Sequence, residues 1–475
     1  MPTSYNLFAR RTGAAAFAIA LMLGTAACTS SGDATTKSSS AAVSTVAAGS
    51  LFDSSIVNKI SIDVDQTEYD AAIATYLASS DKEWITATVT IDGETFEDVG
   101  LRLKGNSSLR GLTTESAEDP EDLPWLVRLD KYVDDQSLDG VTSFVIRSST
   151  TETALNEAIA LELIGMAGLS TEEATATRVS FNGGEESLRL VIENPDDAWA
   201  ESEFDEIGVL YKAESTGDYT YRGDDAESYD EVFDVEAGEE DYAPLTDFLQ
   251  FINESDDATF SADLADHLDV DAFATYLAVQ DLVDNFDDID GPGNNSYLHY
   301  DEETGLMTVV AWDQNRSFGV QNTGGGGMGG DGGAAPADGA FPTDGQMPTD
   351  TQGDGGRPMP PADGQMPTDG TLPTDGQLPT DGQSGAGAGP GAMGGGRGDM
   401  GAMGSNTLSE RFLADETFSA LVTERLAELT DLLYTSGTAD SILGTWTAVL
   451  TEQASDLVST DTIGTESASI AAHFE

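Results

Sequence analysis

The sequence predicts an α+β fold, and three observations lead to it. Short stretches of alternating apolar residues recur through the first 320 positions, and amphipathic segments with a helical period lie among and after them. From residue 321 a long Gly/Pro/Asp tract interrupts the chain. At 475 residues the chain is long enough for two or three ordinary domains, but many of its 51 glycines fall in that tract, so part of the length is not expected to build a core.

The elements follow in order. Arg10 and Arg11 precede an apolar run from Ala14 to Met22, then LGTAAC ending at Cys28, which reads as a signal peptide over 1–27 with an apolar core too short to span a bilayer. LGTAAC resembles a bacterial lipobox, which implies cleavage before Cys28 and a lipid on it. A plain signal peptide cut near Ala27 is the alternative. Cys28 is the single cysteine, so no internal disulfide forms. Residues 28–50, rich in Ser, Thr and Ala, read as a tether that lifts the protein off the outer face of a membrane.

A main domain is expected over 51–320. Val57 to Val64 alternates as a strand, Tyr69 to Leu77 reads helical, and Trp84 to Ile91 alternates again. In LRLKGNSS, Leu101 and Leu103 point one way while Arg102 and Lys104 point the other, beside a turn of small residues suited to holding phosphate. Leu126 to Leu129 with Lys131, and Phe144 to Ile146 with Arg147, read as further strands. Ala154 to Ala167 is an amphipathic helix closed by Gly168, on which Glu157 suits pairing with a phosphate-binding lysine, although exposure is the commoner fate of a helix glutamate. Ala176 to Phe181 and Ser187 to Glu193 flank Asn182-Gly183-Gly184 as a hairpin, and GVLYK adds a strand carrying Lys212. Residues 213–242 show no period and read as surface. The tract 321–406, with its PTDG units, is expected to be disordered, and 407–475 to supply helices that pack back on the main domain.

The chemistry concentrates between Asp281 and Gly319. Phe273, Tyr276, Leu277, Val279, Leu282, Val283 and Phe286 have the spacing of a buried helix face, which Asp290-Gly291-Pro292-Gly293 must end, so Asp287 sits at the helix exit. Residues 295–301 and 307–313 read as a hairpin. Pairing Tyr300 near Thr308 puts Asn295 opposite Asp313. Two acids and an amide brought together supply a base for an acceptor hydroxyl and oxygen ligands for magnesium, the needs of phosphoryl transfer.

Other chemistries fit poorly. With 86 acids against 20 bases the net charge is −66, which disfavours nucleic acid as a partner. An EF-hand centred on Gly291 would need Phe286 and Tyr297 as its first and twelfth ligands, and both fail. The three histidines flank no nucleophile elbow and form no zinc motif.

The run LRLKGNSS, the helix LNEAIALELIGMAGL, the segment LYK, and NFD followed by NNSYLHY and WDQNRSFG together resemble the CotH (spore coat protein H) family of atypical secreted kinases. The resemblance implies a divergent two-lobed protein-kinase-like fold that uses ATP and Mg2+ to phosphorylate serines of secreted or surface proteins. Carried onto this chain, it makes Asp287 the catalytic aspartate, Asp313 a metal ligand with Asn295 and Asn315 beside it, and Arg102, Lys104, Lys131 and Lys212 the phosphate contacts. Asn315 stands where the family usually has a second acid, and Asp288 and Asp290 are alternative bases. A rival expectation is a kinase-like surface protein that acts in adhesion or envelope assembly.

Overall fold

The computed structural model describes residues 50–204, 208–214, 217–289, 295–320 and 406–475. The expected signal peptide, Cys28 and nearly all of the tether lie outside them, as do Asp290 to Gly293 and all of the Gly/Pro/Asp tract but Asn406.

Seven strands form a closed barrel: β1 (Asn58–Val64), β2 (Ile85–Ile91), β3 (Glu94–Leu103), β4 (Trp125–Arg128), β5 (Ser143–Ile146), β6 (Ala174–Phe181) and β7 (Ser187–Glu193), in the order β1-β2-β3-β4-β5-β7-β6. Neighbours pair antiparallel except β1 and β6, whose parallel pairing from Asn58↔Thr177 to Ile62↔Phe181 closes the ring. The alternation seen in the sequence fills the interior. Ile60, Ile62, Val89, Val99, Leu101, Val127, Phe144 and Val179 are buried in one cluster, as a small barrel requires. Across β4 to β7 the outward residues Leu126, Val145, Ala176 and Leu190 are buried too, beneath α2 (Leu155–Met166). Wedged between barrel and C-terminal helices, α2 is buried on nearly every side, so it is not the amphipathic helix expected. Gly168, at φ +84°, closes it as expected.

The remaining strands make a second, four-stranded sheet, ordered β11-β10-β8-β9 from β8 (Val209–Ala213), β9 (Phe233–Ala237), β10 (Ser296–Tyr300) and β11 (Met307–Ala311). Around it lie α3 (Asp197–Glu203), α4 (Ala243–Glu254), α5 (Asp257–Asp263) and α6 (Val270–Leu282), with α1 (Gln66–Ser79) on the barrel. The last described stretch forms α7 (Thr407–Ala414), α8 (Glu416–Leu429), α9 (Thr438–Gln453) and α10 (Thr460–Ala471). Phe412 of α7 meets Phe273 of α6 at 4.8 Å, so these helices share the main core.

Three expectations are corrected. Residues 213–242 contain β9 and the buried Tyr219, Tyr229 and Phe233, because aromatic packing there follows no single period. The β10–β11 register pairs Tyr300 with Met307 and Ser296 with Ala311, one residue from the expected pairing, so Asn295 is not directly opposite Asp313. Glu157 is buried, and its partner is Arg147 rather than a lysine.

Candidate active site

The loop leaving α6 is fixed by Asn285. Its buried amide donates to Gln280 Oε1 at 2.9 Å and Gln314 Oε1 at 3.2 Å, and its own Oδ1 accepts from the Asp287 amide at 3.2 Å. These bonds tie the α6 exit to the turn that follows β11. Asn295 Nδ2 donates to the Asp287 carbonyl at 2.8 Å, so amide and acid meet despite the shifted register. Asp287 Oδ2 lies 3.2 Å from Arg316 Nε. Burial raises the Asp287 pKa and the nearby charge of Asp313 adds to the rise, while Arg316 and Asn295 oppose it. The two acids therefore share one electrostatic site.

Asp313 adopts φ +58° ahead of the single 3₁₀ turn Gln314–Arg316, a sparsely populated conformation held here by the Gln314 bonds. One of its oxygens takes the Arg147 guanidinium, and 24% of the side chain stays exposed. Arg147 follows β5 directly. Its Nε donates to Glu157 Oε1 at 2.8 Å and its Nη2 lies 2.7 Å from the same carboxylate, so one arginine bridges a buried glutamate on α2 and an aspartate after β11. Burial pushes Glu157 up to about 7, Arg147 pulls against it, and Asp313 adds to the rise. The two carboxylates hold Arg147 above its ordinary range in spite of its burial.

Cations gather beside this triad. The Trp312 ring lies under both the Arg147 guanidinium, at 5.4 Å, and Lys104 Nζ, at 5.6 Å. Lys104 donates to Asn194 Oδ1 at 3.2 Å; burial pushes it down to about 8, with Lys212, Arg102 and Arg147 adding and Glu236 opposing. Gly105 turns the chain after Lys104 at φ +101°, where a Cβ would lie 2.2 Å from Ser108 Oγ. Lys212 Nζ sits 2.5 Å from Glu214 and 4.0 Å from Glu236. Lys82, though exposed as a residue, is shifted down by desolvation of its amine among these cations and by Lys212. Arg102 is shifted down by burial, and its Nε is buried without a hydrogen-bond partner. Lys131 stands further out. It reaches the set through Trp84, whose ring carries Arg102 at 4.6 Å and Lys131 at 4.8 Å.

The arrangement thus brings Asp287, Asn295 and Asp313 together, reaches Lys104 through Arg147 and Trp312, sets Arg102 and Lys212 near Lys104, and leaves Lys131 peripheral. Asn315 contributes its backbone carbonyl to Asn156 Nδ2 at 2.6 Å. Reading the sequence passed over Arg147, Arg316 and Lys82. Arg147 carried one signal, a lone base ending an apolar strand just ahead of a helix. Chemically, the site offers a half-buried carboxylate able to accept a proton, oxygen donors for a hard cation, and positive charge for a polyanion.

The family model described as CotH kinase protein matches residues 101–462, from β3 into α10, and the chain belongs to the CotH family. Among individual proteins, the inner spore coat protein H of Bacillus subtilis (strain 168) is similar to it, with 26% identity over 167 residues. That similarity covers 34% of this chain and 45% of the relative, so it spans less than half of the relative's length.

Proposed function

We propose that this protein is a kinase that transfers the γ-phosphoryl group of ATP to a Ser or Thr hydroxyl of secreted or surface proteins. In this reading it acts from the outer face of a membrane, held by a lipid on Cys28. One observation carries the catalytic part: Arg147 bridges Glu157 of α2 and Asp313 after β11. Protein kinases pair a strand-borne base with a helix glutamate in the same way, and set a metal-binding aspartate beside the phosphates. The chain order agrees with that scheme: β3, a loop of small residues, β4, β5 with the base directly after it, then α2.

Asp287 would accept the proton of the attacking hydroxyl; its burial raises its basicity, and Arg316 opposes that rise. Asp313, Asn295 and Asn315 would hold magnesium. Their donors are all oxygens, as magnesium requires. Among the described residues no three His, Cys, Asp or Glu side chains converge as a ready-made cage, so amides and phosphate oxygens would complete the shell, the usual pattern for this ion. When bound, magnesium neutralises charge developing on the phosphates. Lys104, Arg102 and Lys212, with Lys131 behind them, would face the phosphates. Four of the chain's six lysines, Lys82, Lys104, Lys131 and Lys212, belong to this neighbourhood, which suits a polyanionic ligand in a chain of net charge −66. The spore-coat name of the relative and the family's kinase description agree with a surface kinase.

The test is labelled ATP with magnesium, incubated with the protein and with Asp287→Ala and Asp313→Ala. Label transferred to the protein or to casein by the wild type and by neither variant supports the reading. Equal transfer in all three, or none in any, overturns it; the latter outcome points to adhesion or assembly.

A further inference from the structure

The start of α2 is held by two flanking threonines and, through them, from a distant helix. Its N-cap, Ala154, has φ +54° and provides no side-chain cap. The segment just ahead of it is held from α10. Glu466 Oε1 accepts from the Glu152 amide at 3.0 Å, and its Oε2 accepts from the Thr153 amide at 3.0 Å and from the Thr153 hydroxyl. Thr153 Oγ1 in turn accepts from the Leu155 amide at 3.2 Å. Thr151 Oγ1 accepts from the Ala154 amide and donates to Asn156 Oδ1, both at 3.1 Å, and Asn156 reaches the Asn315 carbonyl. Hydrogen bonds thus run from one carboxylate of α10 to the residues that lead into α2, whose first turn carries Glu157, and from Thr151 of that same segment through Asn156 to the turn that carries Asp313. The same C-terminal stretch presses the other side of that turn, where Phe318 lies 5.7 Å from His473 and 5.9 Å from Phe474.

We propose that Glu466 is a positioning residue for the nucleotide site, fixing the start of α2 so that Glu157 orients Arg147 and Asn156 holds the Asn315 turn. Glu466 lies on α10 beyond residue 462, where the family match ends. A carboxylate is suited to it. Its two oxygens hold two adjacent amides of the segment that enters α2, and its charge lies near the positive end of that helix. The inference about nucleotide rests on the function proposed above; the inference about α2 does not.

The experiment compares the full chain with Glu466→Gln and with Ile463→Ala, which loosens α10 at a fully buried apolar site without touching the carboxylate. Two quantities are read: amide hydrogen exchange over 152–158 and ATP affinity. In Glu466→Gln, exchange over 152–158 should rise about tenfold, the size expected for losing charge-assisted hydrogen bonds, while β1 to β3 stay unchanged. ATP should bind about tenfold more weakly. Ile463→Ala, compared at equal loss of thermal stability, should leave ATP affinity within about twofold. Unchanged exchange in Glu466→Gln overturns the proposal, and so does an equal fall in ATP affinity in both variants. Should the wild type bind no ATP, the functional reading falls and takes the nucleotide half of this proposal with it, while the exchange result still decides whether Glu466 holds α2.

Discussion

Arg147→Met is the most informative substitution in this molecule. Arg147 makes two contacts below 3 Å with Glu157, which is 1% exposed, and a third contact with the more open Asp313. Removing it leaves a buried carboxylate facing a second one. Breaking a buried pair by deleting one partner costs about 3–5 kcal/mol, and the Asp313 arm, being partly solvated, should add little. The loss should also depend on pH. The folded-state pKa of Glu157 already lies above its unfolded value, so the native state holds the proton more tightly and stability falls as pH rises from about 4.5 to about 7. Arg147 is the strongest force lowering that pKa, so its removal raises the pKa further and extends the falling range upward. Urea unfolding at pH 5 and pH 8 is the assay. The variant should lose more stability relative to wild type at pH 8, and Arg147→Met with Glu157→Met should recover most of it, because a well-packed apolar pair replaces a buried ion pair at little cost. An equal loss at both pH values, or no recovery in the double variant, refutes the argument.

Other outcomes follow from the same geometry. Glu172 is 2% exposed with both side-chain oxygens unpartnered, and burial pushes it up to about 8, so stability should fall between pH 4.5 and 8 by up to about 1.4 kcal/mol per pH unit. Glu172→Gln should flatten that slope in a pH series of unfolding curves. Lys104→Met should weaken ATP binding about tenfold and make the affinity less sensitive to salt, as seen by calorimetry at two ionic strengths, with the melting temperature little changed. Phe412→Ala removes a fully buried ring from the contact with Phe273 and should cost about 3–5 kcal/mol, with one cooperative transition retained.

What the sequence disclosed was mostly local. The hairpin after Asp287 and the cations at the end of β3 follow from spacing and turn residues within short windows, whereas α6 stops at Leu282, short of Val283 and Phe286, which the apolar spacing places on its buried face. The register slipped by one because the turn after Tyr300 is set by Asp301, whose amide bonds the Leu306 carbonyl and whose side chain accepts from the amides of Glu303 and Thr304. Nothing in the alternation of the two strands fixes that choice. Arg147 escaped notice because its partners come from a helix 10 residues on and a turn 166 residues on, and only the tertiary fold joins them. Glu157 misled for a related reason: a helix glutamate is read as solvated unless a buried base is known to await it. Glu466 carried no local signal at all, since the amides it holds are more than 310 positions away.

The closing pair of the barrel carries a practical consequence. β1 and β2 lie wholly ahead of residue 101, where the family match begins, and most of β3 does too. A fragment trimmed to the matched boundaries would break the ring, leaving β4 and β6 with unpaired backbone groups along one side, the kind of open flank that recruits other chains. It would also lose Glu466. The same cut would therefore promote aggregation at one end and free the start of α2 at the other, and biochemical work on this protein should begin no later than Leu51 and keep the chain through Glu475.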